Sequence, residues 1–176
     1  MTNAVHELKT RAEILHKRIQ SCDPKSLARL RVLPEFRRTP QQKLIELTST
    51  IRRHHCLSIL AAEWGFPNWP IAKRALSGGH VAEFGSLLCP ERCAAHFNRW
   101  YKTYAEATEM RKKCEGYLLG FRRQFVVVDR FYIETLGLDP DDVDWRAIGF
   151  DWARPRSLAA RSRLYSKLVA SLPPEA

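Results

Sequence analysis

The sequence predicts a mostly α (α+β) fold in two units. A basic helical unit spans 1–78, and a helical unit with a small β element at about 117–128 spans 79–176. Three observations predict this. Apolar residues recur three and four apart through most of the chain, the signature of helices that bury one face. The period falls to two only between Tyr117 and Val128. Ser77-Gly78-Gly79 interrupts both patterns and coincides with a change of charge: residues 1–78 carry a net charge of +8, residues 79–176 a net of +2. A protease is expected to cut near Ser77–Gly79 first.

The first helix runs from about Ala4 to Ser21, with Val5, Leu8, Ala12, Leu15 and Ile19 as its apolar stripe. His6, Lys9, Arg11, Lys17 and Arg18 fall off that stripe. Asp23-Pro24 stops it and starts a short helix bearing Leu27 and Leu30, because Asp caps and Pro suits the first helical position. Thr39-Pro40-Gln41-Gln42 is a helix start, with Thr39 as cap and Gln42 completing a capping box. Leu44, Leu47 and Ile51 are the buried face of that helix, and Arg52-Arg53-His54-His55 its basic end.

Residues 56–76 read as a helical hairpin. Leu57, Leu60, Ala61 and Trp64 face inward, Gly65 takes the left-handed position after the first helix, and Asn68 caps the second. Ile71, Ala75 and Leu76 are the apolar side of the second helix.

After Gly79, Val81–Leu88 reads as a short helix. Cys89-Pro90 opens a long one to about Lys113, with Cys93, Phe97, Trp100, Tyr104 and Ala107 inward. From Tyr117 the alternation places Tyr117, Leu119, Phe121, Phe125 and Val127 on one strand face, with Gly120 marking a bend. Asp129 caps a helix ending at Gly137, Asp139-Pro140 is a turn before a short Trp145–Ile148 helix, and the last helix carries Leu158, Leu164, Tyr165 and Leu168. The tail from Leu172 is expected to fray.

Composition narrows the function. The 176 residues are 45% hydrophobic and 27% charged, which excludes a disordered, collagenous or disulfide-scaffold chain. The first residues have no apolar core of a secretory signal, and no apolar stretch approaches a membrane span. A cytoplasmic protein is expected, with its five cysteines as reduced thiols and no membrane partner. No phosphate loop, dinucleotide fingerprint, nucleophile elbow or metalloprotease helix occurs, so no cofactor and no catalytic residue are expected. The surplus of 29 Lys/Arg over 19 Asp/Glu favours an anionic partner.

Four smaller constellations bear on chemistry. Cys89, Cys93 and His96 have zinc-like spacing, but the fourth ligand would have to be Cys114 or His80, so no structural zinc is expected. His54-His55-Cys56 places a thiol beside imidazoles, yet adjacent helical residues diverge and build no dyad. Asp139, Asp141, Asp142, Asp144 and Asp151 read as turn and cap residues. Arg122, Arg123 and Gln124 lie among Tyr117, Phe121 and Phe125, a mixture that can bind single strands by charge and stacking or can simply overlie a core.

Ala61, Gly65 and Ile71 stand four and six apart, as the small, turn and branched positions of a helix-turn-helix do, and the hairpin resembles that DNA-binding motif. Pro70 and Trp69 depart from its pattern at the start of the second helix. The resemblance implies nucleic-acid binding by a bacterial regulatory protein. Lys73 and Arg74 on the second helix, with Arg52 and Arg53, are the expected nucleic-acid-binding residues, and DNA or RNA the expected partner. The stretch LAAEWGFPNWPIAKRAL is also similar to a helical motif of small bacterial proteins labelled glyoxalase-related, without a His/Glu metal set. The C-terminal half, with GYLL, QFVV and LGLDPDD, resembles uncharacterised bacterial proteins of no assigned activity. The alternative is a protein–protein adaptor or accessory subunit without catalysis, suggested by the five tryptophans.

Overall fold

The computed structural model describes residues 3–96 and 98–173. It is mostly helical, with one small antiparallel sheet. Helix α1 (Ala4–Gln20) buries Val5, Leu8, Ala12, Leu15 and Ile19. Arg11 departs from expectation: it is buried, and its guanidinium donates to the carbonyls of Val169 (3.1 Å), Leu172 (3.2 Å) and Pro173 (2.7 Å). A long cation at the edge of an apolar stripe can satisfy the orphan carbonyls of another helix's C-terminus. Leu172 and Pro173 are thereby tied down, while the rest of the tail, 174–176, lies outside the described residues.

Asp23 caps α2 (Pro24–Arg29) by accepting from the Ser26 N–H at 2.8 Å. Helix α3 (Gln41–Glu46) starts one residue later than expected, with Pro40 outside it and no side-chain cap. It stops at Leu47, a 3-10 turn follows over Thr48–Thr50, and Ile51 is extended. The Arg52–His55 run is therefore not a helix end. Arg52 is the N-cap residue of α4 (Arg53–Glu63), and the basic run opens that helix.

Trp64–Asn68 turn the chain into α5 (Trp69–Leu76), where Asn68 accepts from the Ile71 N–H at 3.0 Å. Ala61 is fully buried and Gly65 has φ +75°. The expected Val81–Leu88 helix is absent; that stretch is irregular. The long helix from Cys89 is also replaced. A 3-10 turn covers Glu91–Cys93, β1 covers Arg99–Tyr101, and only α6 (Tyr104–Cys114) is helical. Thr103 caps α6, and its hydroxyl donates to Glu106 at 2.7 Å. Of the expected inward positions, Cys93 and Ala107 are buried and Trp100 is 45% exposed. Phe97 lies outside the described residues.

Strands β2 (Tyr117–Phe121) and β3 (Gln124–Val128) form a hairpin, and the sheet order is β1-β3-β2. Phe121 pairs with Gln124, so the turn is Arg122-Arg123 and not a bend at Gly120. A two-residue turn inverts parity between its strands. Tyr117, Leu119 and Phe121 therefore share a face with Gln124, Val126 and Val128, and Phe125 and Val127 lie on the other, against α6. Gly120 is small for packing: a Cβ there would overlap the Phe84 ring.

Helices α7 (Arg130–Leu136), α8 (Val143–Ile148) and α9 (Leu158–Ser171) complete the chain. Asp129 caps α7 as read from the sequence, and within the acidic run it is Asp142 that caps α8. Main-chain bonds from Leu118 to Phe150 (2.9 Å) and from Trp152 to Leu118 (2.8 Å) cover the outer edge of β2. One apolar core runs from α1 through α4, α5 and one sheet face to α9. Residues on both sides of Ser77–Gly79 contribute to it. Arg161 on α9, 1% exposed, donates to the carbonyls of Gly78 (2.6 Å), Gly79 (2.9 Å) and Trp152 (2.7 Å).

Candidate nucleic-acid interface

The four expected binding residues lie on two consecutive helices. Arg52 and Arg53 stand at the start of α4, and Lys73 and Arg74 in the last turn of α5. Helix α5 packs against α4, α1 and α9 through Ala72, Ala75 and Leu76, which turns Lys73 and Arg74 to solvent. Neither side chain has an ion-pair or hydrogen-bond partner among the described residues. Arg52 donates to the Ser49 carbonyl at 2.6 Å. Arg53 donates to the Lys9 carbonyl at 3.2 Å and lies 3.9 Å from Glu13.

The electrostatics at the two helix ends differ. Cations in the last turn of α5 oppose the negative end of its dipole and are favoured there. Arg52, Arg53, His54 and His55 instead crowd the positive end of α4, whose first turn has no acidic residue. The Arg52 N–H donates to Nδ1 of His55 at 2.9 Å, so that nitrogen is unprotonated. Burial and the adjacent His54 push the His55 imidazole below its ordinary value, and the two rings lie 3.9 Å apart. Cys56 points into the core, where burial raises its thiol to about 11. No nucleophile and base meet here.

Cys89 and Cys93 do come together, against the Tyr132 hydroxyl, which donates to the Leu88 carbonyl at 2.9 Å. Burial raises Cys89 to about 11 and also raises Cys93, so both are thiols near neutrality. His96 turns its Nε2 to the Thr135 hydroxyl at 2.9 Å. Among the described residues no three His, Cys, Asp or Glu side chains are grouped to hold a metal ion. The acidic run serves the fold. Burial raises the Asp144 carboxyl, but Arg163 and Lys167 outweigh it and hold Asp144 below its usual value.

A second region emerges that the sequence does not join. The 83–87 stretch threads between the α4–α5 turn and the tip of the β2–β3 hairpin. Ser86 N–H donates to Trp64 O at 2.8 Å, Phe84 N–H to Arg122 O at 2.9 Å and Arg122 N–H to Gly85 O at 2.9 Å. These bonds hold Arg122 at φ +51°, a left-handed conformation that non-glycine residues rarely adopt. They leave a groove of about 720 Å3 with Gly65, Phe66 and Pro67 on one side and Phe121, Arg122 and Gln124 on the other. Arg123 is paired with Glu83. The Arg122 guanidinium lies 5.4 Å from the Phe121 ring centre and has no ion-pair partner among the described residues. Beyond Phe121, Trp100 meets its edge at 5.4 Å and lines a further hollow of about 220 Å3.

The basic–aromatic mixture of 121–125 is legible in the sequence. Its apposition to Gly65–Pro67 is not, because no local pattern pairs residues so far apart. Comparison with protein-family models, curated proteins and solved structures finds no match to this chain. The two likenesses of residues 57–76 therefore rest on that stretch alone. Among the described residues, no helix is long and apolar enough to cross a membrane.

Proposed function

We propose that the chain binds nucleic acid by neutralising phosphates with the basic surface of α4 and α5, as a regulatory protein of the helix-turn-helix kind would. The observation that carries this reading is the positive end of α4. Two arginines sit where the helix dipole already favours an anion, with no acidic residue in the first turn. A phosphate there would relieve repulsion that the fold otherwise tolerates. Lys73 and Arg74 extend the surface with exposed, unpaired cations. Phosphate contacts of this sort position a protein without reading sequence, and their counterion release makes affinity fall with salt.

Fluorescence anisotropy on duplex DNA and on RNA at several salt concentrations tests it. The double variant Lys73→Ala/Arg74→Ala is expected to flatten the log–log salt slope by up to about two units on duplex DNA, with all sequences affected alike. Folded protein that binds neither nucleic acid at low salt would overturn the proposal. The second reading, a protein–protein adaptor or accessory subunit, draws on Phe131 and Val143, 62% and 76% exposed. It predicts little affinity for DNA or RNA near physiological salt and a stable complex with a protein.

A further inference from the structure

We infer that the groove between the α4–α5 turn and the β2–β3 tip is a second contact surface, one that stacks the unpaired bases of single-stranded nucleic acid. The inference rests on the proposal that this chain binds nucleic acid, and adds which form of it the groove accepts.

Three observations carry it. The first is an aromatic platform that runs out of the groove: Phe121 lines the groove and Trp100, in edge contact with it, lines the adjoining hollow. Trp100, Phe121 and Gln124 lie on one face of the sheet by register, since Trp100 opposes Val126 and Phe121 opposes Gln124. Helices cover that face further along, but Trp100 stays 45% exposed at its end. An exposed indole beside a half-buried phenyl ring offers π-surface that every base can use, whatever its identity.

The second is charge. Arg122 stands beside Phe121 with its guanidinium unpaired, and Glu83 is already engaged by Arg123. A guanidinium next to an aromatic ring can take a phosphate or stack on a base. An anionic strand fits a chain of net charge +10 better than a neutral apolar peptide does.

The third is preorganisation. Arg122 is held in a disfavoured backbone conformation by two main-chain bonds to the 84–85 segment. Such strain persists only where the surroundings impose it, and here it projects the side chain at the groove mouth. The groove volume of about 720 Å3 lies within the roughly 300–1,000 Å3 of ligand clefts. Duplex bases are stacked on each other and present no free faces, so the occupant is a single strand.

The test compares three probes on the full chain: a short T-rich DNA strand, its U-rich RNA counterpart, and an abasic strand of equal length and charge. Wild type is expected to bind the T-rich or U-rich strand more tightly than the abasic one, and the two base-bearing arms tell DNA from RNA. Trp100→Leu keeps an apolar side chain and removes the indole. It is expected to cost about 5- to 100-fold on the base-bearing strands and nothing on the abasic one. Arg122→Gly suits the left-handed position, so the fold is kept. It is expected to weaken single-strand binding and lower the salt slope by about 0.7.

Equal affinity for abasic and base-bearing strands, or an unchanged Trp100→Leu variant, overturns the groove. If duplex binding in that case still depends on Lys73 and Arg74, the phosphate surface stands alone. If stacking is lost in Trp100→Leu while Lys73→Ala/Arg74→Ala leaves the salt slope unchanged, the groove stands and the α4–α5 surface falls.

Discussion

Burial first, and the adjacent His54 second, hold the His55 imidazole below its ordinary value. Its Nδ1 accepts the Arg52 N–H. The folded value lies below the ordinary 6.5, so the unfolded chain takes up this proton first as pH falls. The resulting stability is fully present above about pH 6.5 and declines as pH drops towards the folded value. Melting temperatures between about pH 7.5 and about pH 5.5, which bracket that value, should show it. His55→Gln keeps an acceptor at the same helical position and should lose less stability across the range than wild type. Gly65 is the other decisive residue. Its φ of +75° opposes any Cβ, and an added one would stand 2.8 Å from the Ser86 backbone nitrogen. Gly65→Val should cost about 1–3 kcal/mol from the backbone alone, with the overlap added. Chemical denaturation measures it; unchanged stability would exclude this turn.

At the scale of elements, two buried arginines do the joining. Arg11 of α1 satisfies the carbonyls that end α9, and Arg161 of α9 satisfies those of Gly78 and Gly79. Burial works against the charged form of Arg161, which has no carboxylate in an ion pair with it among the described residues. The carbonyls compensate. Arg161→Met fills the space with apolar atoms and strands those acceptors, at about 1–3 kcal/mol. Limited proteolysis should then cut at Ser77–Gly79 faster in the variant than in wild type. Equal rates would mean the arginine does not hold the segment.

Across the whole molecule, charge and core are distributed differently. The core is continuous from α1 to α9, whereas the basic surplus belongs to residues 1–78. Gly65–Pro67, the turn that leads into α5, lines the hairpin groove, whereas Arg52 and Arg53 stand at the far end of α4. A strand lying in the groove would pass that turn. From Trp69 to Lys73 the helix rises only about 6 Å. The salt titrations probe the helix-end cations, and the stacking variants probe the groove and its rim.

Much of this was legible beforehand. The stripe of α1, the caps Asp23, Asn68, Asp129 and Asp142, and the left-handed Gly65 follow from local chemistry, because a cap or an i, i+4 stripe involves neighbours in sequence. The helical hairpin and the β element followed in the same way. Within 89–113 the sequence does carry one signal against a single long helix: Thr103-x-x-Glu106 is a capping signal, and α6 starts there. The spacing of Cys93, Trp100, Tyr104 and Ala107 mimics a helix, and only pairing of Arg99–Tyr101 with β3 decides for a strand. What the sequence by itself determined is most of the helices outside 81–113, the charge layout and several of the helix caps. Which distant groups meet is another matter: Gly65 with Ser86, Arg122 with Gly85, Arg11 with the carbonyls that end α9, and Arg161 with those of Gly78 and Gly79. Those contacts depend on how the elements pack, and packing is settled by burial and by satisfied polar groups over the whole chain, which no local window contains.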